Sequence, residues 1–260
     1  MMQKKIELLR KTGHIHQVAD VTPIEYREGR ADKLSAWQVK NGPLSFTVMQ
    51  GKGMDLSELS YKGINFSFLS KPGLQGRNQY DTNGQEALRS IMGGMLFTCG
   101  LENICAVYQN GETQYPMHGR IRTTPAEHTA VRTRWTSEGY EMELYGEMRE
   151  AELFGENLVL KRTITTIWPK KEIRIRDVIE NQSFREEPLM LLYHINAGYP
   201  LLDEEAEILI PARKTTPRDA DAKRQMENWS TMEAPVDNEP EAVFLHELYA
   251  ELSLIHISEP

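Results

Sequence analysis

Short segments in which apolar and polar residues alternate constrain the fold of this chain more than any other feature. Residues 128–135 and 140–148 alternate in this way, and residues 158–168 and 172–178 continue the series. Successive side chains of a β-strand point to opposite faces of its sheet, so each segment predicts a strand with one buried face.

The whole chain contains about a dozen such segments at spacings of roughly 8–12 residues, separated by Gly, Pro, Asn and Asp. Helical periodicity is scarce, since residues 4–11 offer at most one or two poorly capped turns. These features predict an all-β protein, a large antiparallel β-sandwich or barrel. Residues 206–211 and 242–251 are predicted to form two late strands, and residues 71–86 a long loop.

The chain contains no internal repeat and no recognisable linker, so residues 1–251 are predicted to form a single β-sandwich domain. Residues 212–241 are polar and contain three prolines, which indicates a segment that lies outside the sheets of the sandwich but belongs to the same domain. Residues 252–260 resemble translated vector sequence, so we expect a non-native tail there.

The composition argues against several classes of protein. The 260 residues carry a formal net charge of −8, with a pI of about 5.5, which does not indicate a nucleic-acid partner. No apolar run approaches a membrane span, and the start lacks the apolar core of a signal peptide. Two cysteines, Cys99 and Cys105, are too few for a secreted disulfide framework or a zinc site. We therefore expect a soluble, cytoplasmic protein without a bound metal.

Residues 189–202 form the most apolar run and carry one histidine, His194, near the middle. The aliphatic residues before it predict a buried strand, and the run breaks at Asn196 and Gly198. A histidine at the end of a rigid strand can serve as a general acid or base near neutral pH. It can equally be a core histidine bonded to a backbone carbonyl. The run alone does not decide between these interpretations.

A second group of polar residues lies upstream. Residues 88–103 are largely apolar but include Arg89 and Asn103, and a turn at His118-Gly119-Arg120 follows a polar loop. A histidine in such a turn either is exposed to solvent or lines a cleft. Taken alone, the turn favours the exposed interpretation.

Four short motifs follow one another in a distinctive order along the chain. They are Thr98-Cys99-Gly100-Leu101-Glu102-Asn103, His118-Gly119-Arg120, Leu153-Phe154-Gly155-Glu156-Asn157-Leu158 and Leu192-Tyr193-His194-Ile195-Asn196-Ala197-Gly198-Tyr199-Pro200-Leu201-Leu202. In order and spacing they resemble the DUF4432 family of aldose 1-epimerase-like proteins, within the galactose mutarotase-like superfamily. The resemblance implies a large antiparallel supersandwich that binds a small sugar in a cleft on one sheet, and an isomerase of carbohydrate metabolism.

The resemblance also implies roles for individual residues. In the superfamily a histidine of a His-Gly motif orients the sugar, and His118 matches it. A second histidine at a strand end protonates the ring oxygen, and His194 matches that one. An upstream arginine binds sugar hydroxyls, and Arg89 is its counterpart. The other candidate substrate-binding residues are Asn103, Arg120 and Asn196.

The implied reaction explains why such groups are required. Opening a pyranose ring removes a proton from O1 and donates one to O5, and rotation about C1–C2 followed by closure gives the other anomer. Two groups with separate proton-transfer tasks suffice, so the resemblance implies neither a metal nor a cofactor.

The sequence departs from the family pattern in one respect. The base in mutarotases is a glutamate on a late strand, and no glutamate here has a matching context. We therefore expect a C-terminally truncated sandwich that is inactive and marginally folded, with unpaired sheet edges. Two further functions remain open: a carbohydrate-binding protein without catalysis, and an interaction module whose histidines are structural.

Overall fold

The computed structural model describes residues 2–76 and 84–249, which fall into two compact units, Met1–Gly198 and Tyr199–Pro260. The described part of the first unit contains helix α1 (Met2–Lys11) and strands β1 (Ala19–Glu25), β2 (Ser35–Asn41), β3 (Leu44–Met49), β4 (Asp55–Tyr61), β5 (Ile64–Asn65), β6 (Leu96–Leu101), β7 (Tyr108–Asn110), β8 (Thr113–Tyr115), β9 (Glu127–Trp135), β10 (Tyr140–Ala151), β11 (Asn157–Trp168), β12 (Ile173–Asn181) and β13 (Met190–Ile195). The described part of the second unit contains β14 (Ala212–Pro217), α2 (Ala220–Arg224) and β15 (Phe244–Leu248).

Two antiparallel sheets dominate the first unit. One has the strand order β1-β2-β3-β4-β5, and the other has the order β12-β11-β10-β9. Every strand pairs with its neighbour in sequence, so short turns are enough to connect them. Strands β10 and β11 pair over their full lengths, from Tyr140 opposite Trp168 to Ala151 opposite Asn157. Two shorter pairs, β6 with β13 and β7 with β8, complete this unit.

An apolar core joins the two large sheets. Val39 and Phe46 of the first sheet and Leu144 and Leu160 of the second are at most 1% exposed and belong to one cluster. Strand β10 shows the alternation that the sequence predicts, because buried and partly exposed residues alternate from Tyr140 to Glu150. The prediction of an all-β antiparallel sandwich is therefore confirmed.

A buried arginine links four strands through ion pairs and hydrogen bonds. Arg162 of β11 is wholly inaccessible to solvent and donates to Asp177 of β12 and to Asp55 of β4 at 2.8 Å. It also donates to the hydroxyl of Thr98 on β6 at 2.9 Å. Asp55 accepts from the same threonine's backbone amide at 2.8 Å. Because all these charges are paired and hydrogen-bonded, the sheets can bury them together.

The second unit, Tyr199–Pro260, is built on an antiparallel pair, β14 with β15. Asp219 accepts a hydrogen bond from the backbone amide of Ala222 and caps α2. The ring of Trp229 lies 4.9 Å from that of His246 and 6.5 Å from that of Phe244, between ring centroids. None of the described helices is long and apolar enough to span a membrane.

Several local predictions are corrected. The alternation in residues 128–135 predicts one buried face, but both faces of β9, the edge strand of its sheet, are exposed because the apolar core does not cover them. Residues 206–211 form no strand; an isolated bridge joins Glu207 to Thr231, and the strand follows at Ala212–Pro217. The N-terminal helix runs over Met2–Lys11, longer than the expected turns. The predicted tail at 252–260 lies outside the described residues.

Candidate functional site

Strand β13 places His194 opposite Phe97 of β6. The two strands pair antiparallel over six residues, and His194 and Phe97 are partners in that register. Their ring centroids are 6.3 Å apart, with the planes at 83°. The apolar run therefore forms the predicted strand and presents its histidine on the face that carries Phe97.

His118 reaches the same place from a loop. Its backbone amide donates to the carbonyl of Cys105 at 2.8 Å, and its carbonyl accepts from Gly100 at 3.1 Å. His118 and Gly119 have φ values of 60° and 71°, so the chain turns sharply in the left-handed region. Gly119 packs directly on the backbone of Gly100, and a Cβ here would overlap the Gly100 carbonyl oxygen. Only glycine allows this approach of the loop to β6.

The two histidines meet edge to face. Their ring centroids are 6.0 Å apart with the planes at 85°, and the ring of His118 also lies 5.9 Å from that of Phe97. The structure thus brings together two histidines that lie far apart in the sequence, with Phe97 as the contact that they share. Sequence reasoning did not single out Phe97, which reads there as an ordinary apolar strand residue.

The strand that carries His194 is less buried than predicted. His194 is exposed, and Tyr193 and Ile195 are 45% and 56% exposed. In the part of the chain that the structure describes, β13 pairs with β6 alone. An apolar run indicates burial on both faces, but in β13 exposed side chains occur on both faces. His194 is therefore not a core histidine within the described structure.

Asn103 and Asn196, the two asparagines predicted to bind substrate, donate side-chain hydrogen bonds to backbone carbonyls near the histidines. Asn103 is 4% exposed and donates to the carbonyls of Ala106 and Pro116 at 2.9 Å each, closing the loop that leads to His118. Asn196 donates to the carbonyl of Gly94 at 2.9 Å and to that of His194 at 3.2 Å. These contacts give both residues a positioning role.

Arg120 points to a separate polar cavity. It forms an ion pair with Glu102, and both residues line a cavity of about 280 Å³ together with Glu152, Glu156 and Arg185. Burial raises the pKa of Glu102, and the charge of Glu156 raises it further, against the opposing effect of Arg120. The arginine is thus engaged with the carboxylate of Glu102.

Arg89 lies on a 3-10 turn, Gly84–Arg89, and is exposed. Its guanidinium pairs with Glu86 at 3.3 Å, while its carbonyl accepts from Arg30 at 2.8 Å. The described contacts therefore do not bring the Arg89 side chain to the histidine pair.

Arg122 links the Arg89 segment to the histidine loop. It is fully buried, and its Nε donates to the carbonyl of Met117 at 3.3 Å, next to His118. Its Nη1 donates to the hydroxyl of Ser90 at 3.0 Å, next to Arg89. Sequence reasoning missed this residue, because an arginine in a polar turn carries no signal that it will be buried.

One group of side chains has metal-ligand geometry. Glu127, His128 and Glu147 each offer a ligand atom, and these atoms lie within 4.8 Å of one another. His128 is already 3.4 Å from Glu147, and Arg149 pairs with Glu127 at 3.2 Å. Exposed acidic groups of this kind are common without an ion, so the group indicates surface ion pairing.

The packed antiparallel sheets match the galactose mutarotase-like β-sandwich. The sequence also matches the family described as "Domain of unknown function (DUF4432)" over residues 32–254, more than half of the chain. The chain belongs to the DUF4432 family, as the four motifs predicted.

Two solved structures are similar in fold. The "putative aldose 1-epimerase" of Klebsiella pneumoniae subsp. pneumoniae MGH 78578 has 21% identity and a TM-score of 0.79, with coverage of 86% of this chain and 59% of that one. A galactose mutarotase-like protein of Clostridium acetobutylicum has 14% identity and a TM-score of 0.53, with coverage of 78% and 62%. At such identities the likeness establishes the fold alone. This chain spans roughly three-fifths of either protein's length. No curated protein sequence matches this chain.

Proposed function

We propose that this protein acts on a monosaccharide as an aldose 1-epimerase-type protein, interconverting its anomers by acid–base ring opening. The observation that carries the proposal is the edge-to-face pair of His118 and His194 on Phe97, 6.0 Å apart between ring centroids. Two imidazoles at this spacing can reach the same small polar molecule. The fold shared with mutarotase-like proteins supports the same reading.

In this proposal His194 donates a proton to the ring oxygen O5 while the O1 proton passes to a water molecule, and the exposure of His194 leaves its imidazole open to a ligand and to solvent. His118, fixed by two backbone hydrogen bonds, orients the sugar. Asn103 and Asn196 hold the backbone around these rings.

Arg89 and Arg120 complete the proposed set as binders of sugar hydroxyls. Each has a carboxylate partner, Glu86 and Glu102 respectively. Binding through either arginine would exchange that ion pair for contacts with the sugar. We expect such an exchange to be easy at Arg89, because its pair with Glu86 is exposed on both sides.

A second candidate function is sugar binding without catalysis. The pair of His118 and His194 on Phe97 is compatible with it, because each imidazole can form hydrogen bonds with a sugar hydroxyl without transferring a proton. The two functions predict the same ligand class and differ only in turnover.

The test measures binding and turnover separately. Binding is screened with a panel of aldoses by ligand-observed NMR, and anomer interconversion is followed by polarimetry. Both assays use the wild-type chain, His194→Ala and the control His128→Ala. The control replaces His128, an exposed histidine of β9. Loss of a general acid lowers the rate by about 10²–10⁴-fold. We expect this loss in His194→Ala, with binding retained and the control unchanged.

Other outcomes have clear meanings. Binding by the wild-type chain without any rate enhancement selects the non-catalytic function. A His194→Ala variant that still accelerates interconversion contradicts the role of His194. Failure to bind any aldose in the panel contradicts both candidate functions and leaves an interaction module.

A further inference from the structure

Arg122 is a buried cation that contacts only neutral acceptors among the described residues. Its residue exposure is 0%, and its Nε and Nη1 donate to the carbonyl of Met117 and the hydroxyl of Ser90. Its Nη2 is buried and has no hydrogen-bond partner in the part of the chain that the structure describes. Burial lowers the pKa of Arg122 to about 10. A buried guanidinium normally has an anionic partner, so this one calls for an explanation.

Lys52 is a second buried cation in the same region. It is 1% exposed, and its Nζ donates to a neutral acceptor, the backbone carbonyl of Gln75, at 3.3 Å. Burial, followed by the charge of Arg122, lowers the pKa of Lys52 to about 8, while Asp55 acts in the opposite direction. Gly53, which follows Lys52, donates its backbone amide to the carbonyl of Thr124 at 2.8 Å. Thr124 lies two residues after Arg122, so the two cations lie on adjoining segments.

Gln75 supplies unsatisfied hydrogen-bonding groups beside the lysine. It is 1% exposed, and its side-chain amide nitrogen and oxygen both lack a partner among the described residues. Three side chains in this region therefore have buried polar atoms or charges that the neighbouring protein leaves uncompensated. Such groups are usually paired with ordered water or an ion.

The charge balance of the region is positive. Asp55, the carboxylate that acts on Lys52, is already bonded to Arg162 at 2.8 Å and to Thr98. Arg162 also engages Asp177. Within the ranges 2–76 and 84–249, the buried cations Lys52, Arg122 and Arg162 thus face two carboxylates, Asp55 and Asp177, which leaves an excess of one positive charge. A monovalent anion would neutralise that excess.

We propose that Arg122, Lys52 and Gln75 form a buried site for a small monovalent inorganic anion of the halide type. Arg122 Nη2, Lys52 Nζ and the Gln75 amide nitrogen are the donors. A cavity of about 550 Å³ lies next to these segments, because Gly51 and Gly76, the chain neighbours of Lys52 and Gln75, line it.

An anion at this place would stabilise the surroundings of the histidine pair. Arg122 joins the segment that precedes His118 to the segment that contains Ser90. Neutralising its charge removes the repulsion from Lys52 and so holds both segments in place. The site does not depend on the function proposed above.

The experiment uses bromide as the probe. Thermal unfolding is measured from 1 to 100 mM bromide with gluconate keeping the ionic strength constant, and bromide-soaked crystals are examined by anomalous diffraction. Binding to the folded state alone raises Tm, and we expect a rise of about 3 °C or more over this range. An anomalous peak is expected within hydrogen-bonding distance of the Arg122 guanidinium.

Matched variants separate this site from general salt effects. Lys52→Met should lose the response of Tm to bromide, whereas Lys40→Met, an exposed lysine of β2, should keep it. If Lys52→Met does not fold, the wild-type response and the anomalous peak still decide. A Tm that does not change with bromide, or a peak only elsewhere, overturns the proposal.

Discussion

Glu150 is a carboxyl group whose environment favours the protonated form. It is 3% exposed on β10, and both carboxyl oxygens accept from the backbone amide of Leu101 at 3.3 Å. Burial, followed by the charge of Glu102, raises the pKa of Glu150 to about 7. Near neutral pH Glu150 is therefore partly protonated in the folded protein, whereas it is ionised in an unfolded chain.

This raised pKa makes stability depend on pH. The contribution of the protonated Glu150 carboxyl to the free energy of unfolding is fully present below the ordinary pKa of a glutamate. It is lost as the pH rises through about 7. Glu150→Gln, which is always neutral, should therefore gain stability relative to wild type between pH 5 and pH 8, by on the order of 2 kcal/mol. Urea unfolding at the two pH values measures the change.

The control for this prediction is Glu143→Gln, a change on the same strand at a side chain that is 28% exposed. It reports the general effect of removing one carboxylate from β10. An equal difference between Glu150→Gln and wild type at both pH values would contradict the assigned pKa.

The loop that carries His118 depends on its close contact with β6. Gly119 has φ of 71°, and a Cβ added there would meet the backbone of Gly100 and come within 2.6 Å of the Asn103 carbonyl oxygen. Backbone atoms cannot move aside as a flexible side chain can. The approach of the loop to β6 therefore sets where the His118 ring lies.

Gly119→Ala should displace this loop and cost roughly 3 kcal/mol or more, since it combines a strained φ with a backbone overlap. Gly111→Ala is the matched control, because its φ is 61° but nothing lies within 4 Å of the added Cβ. It should cost only about 1 kcal/mol. Chemical denaturation measures both costs, and NOEs between the rings of His118 and His194 report the loop position. Equal costs would show that the close contact is unimportant.

The exposed edge of β13 is a surface through which whole molecules can associate. Within the described residues this strand pairs on one side only, and Ile195 is 56% exposed. An unpaired strand with exposed apolar side chains is a template for pairing with another chain.

Ile195→Lys should therefore slow aggregation on heating without lowering Tm, because a charge on an edge strand opposes pairing. The control Leu153→Lys changes a residue that is 86% exposed in a turn and offers no strand edge. Light scattering during a thermal ramp measures both. Equal slowing in the two variants would attribute the effect to net charge alone.

The strand order within the two large sheets follows from the sequence, whereas the pair of β6 with β13 joins distant segments. The alternation in β10 and β11 and the turns between successive strands predict local antiparallel pairs, which the structure contains. The motifs predict the family, and the match over residues 32–254 confirms it. The roles assigned to His118 and His194 remain predictions.

Long-range packing determined what the sequence could not show. Periodicity specifies which face of a strand is apolar but not which partner covers it, so the exposure of β9 and of β13 was missed. The burial of Lys52 and Arg122 was also missed, because a charged residue in a turn gives no local indication of it. Alternation and turns are properties of neighbouring residues, and the sequence alone determines them. The meeting of His118 with His194 depends on contacts between distant segments, and so does the enclosure of Lys52 and Arg122 among neutral acceptors of the described residues. Such contacts are decided only by the tertiary structure.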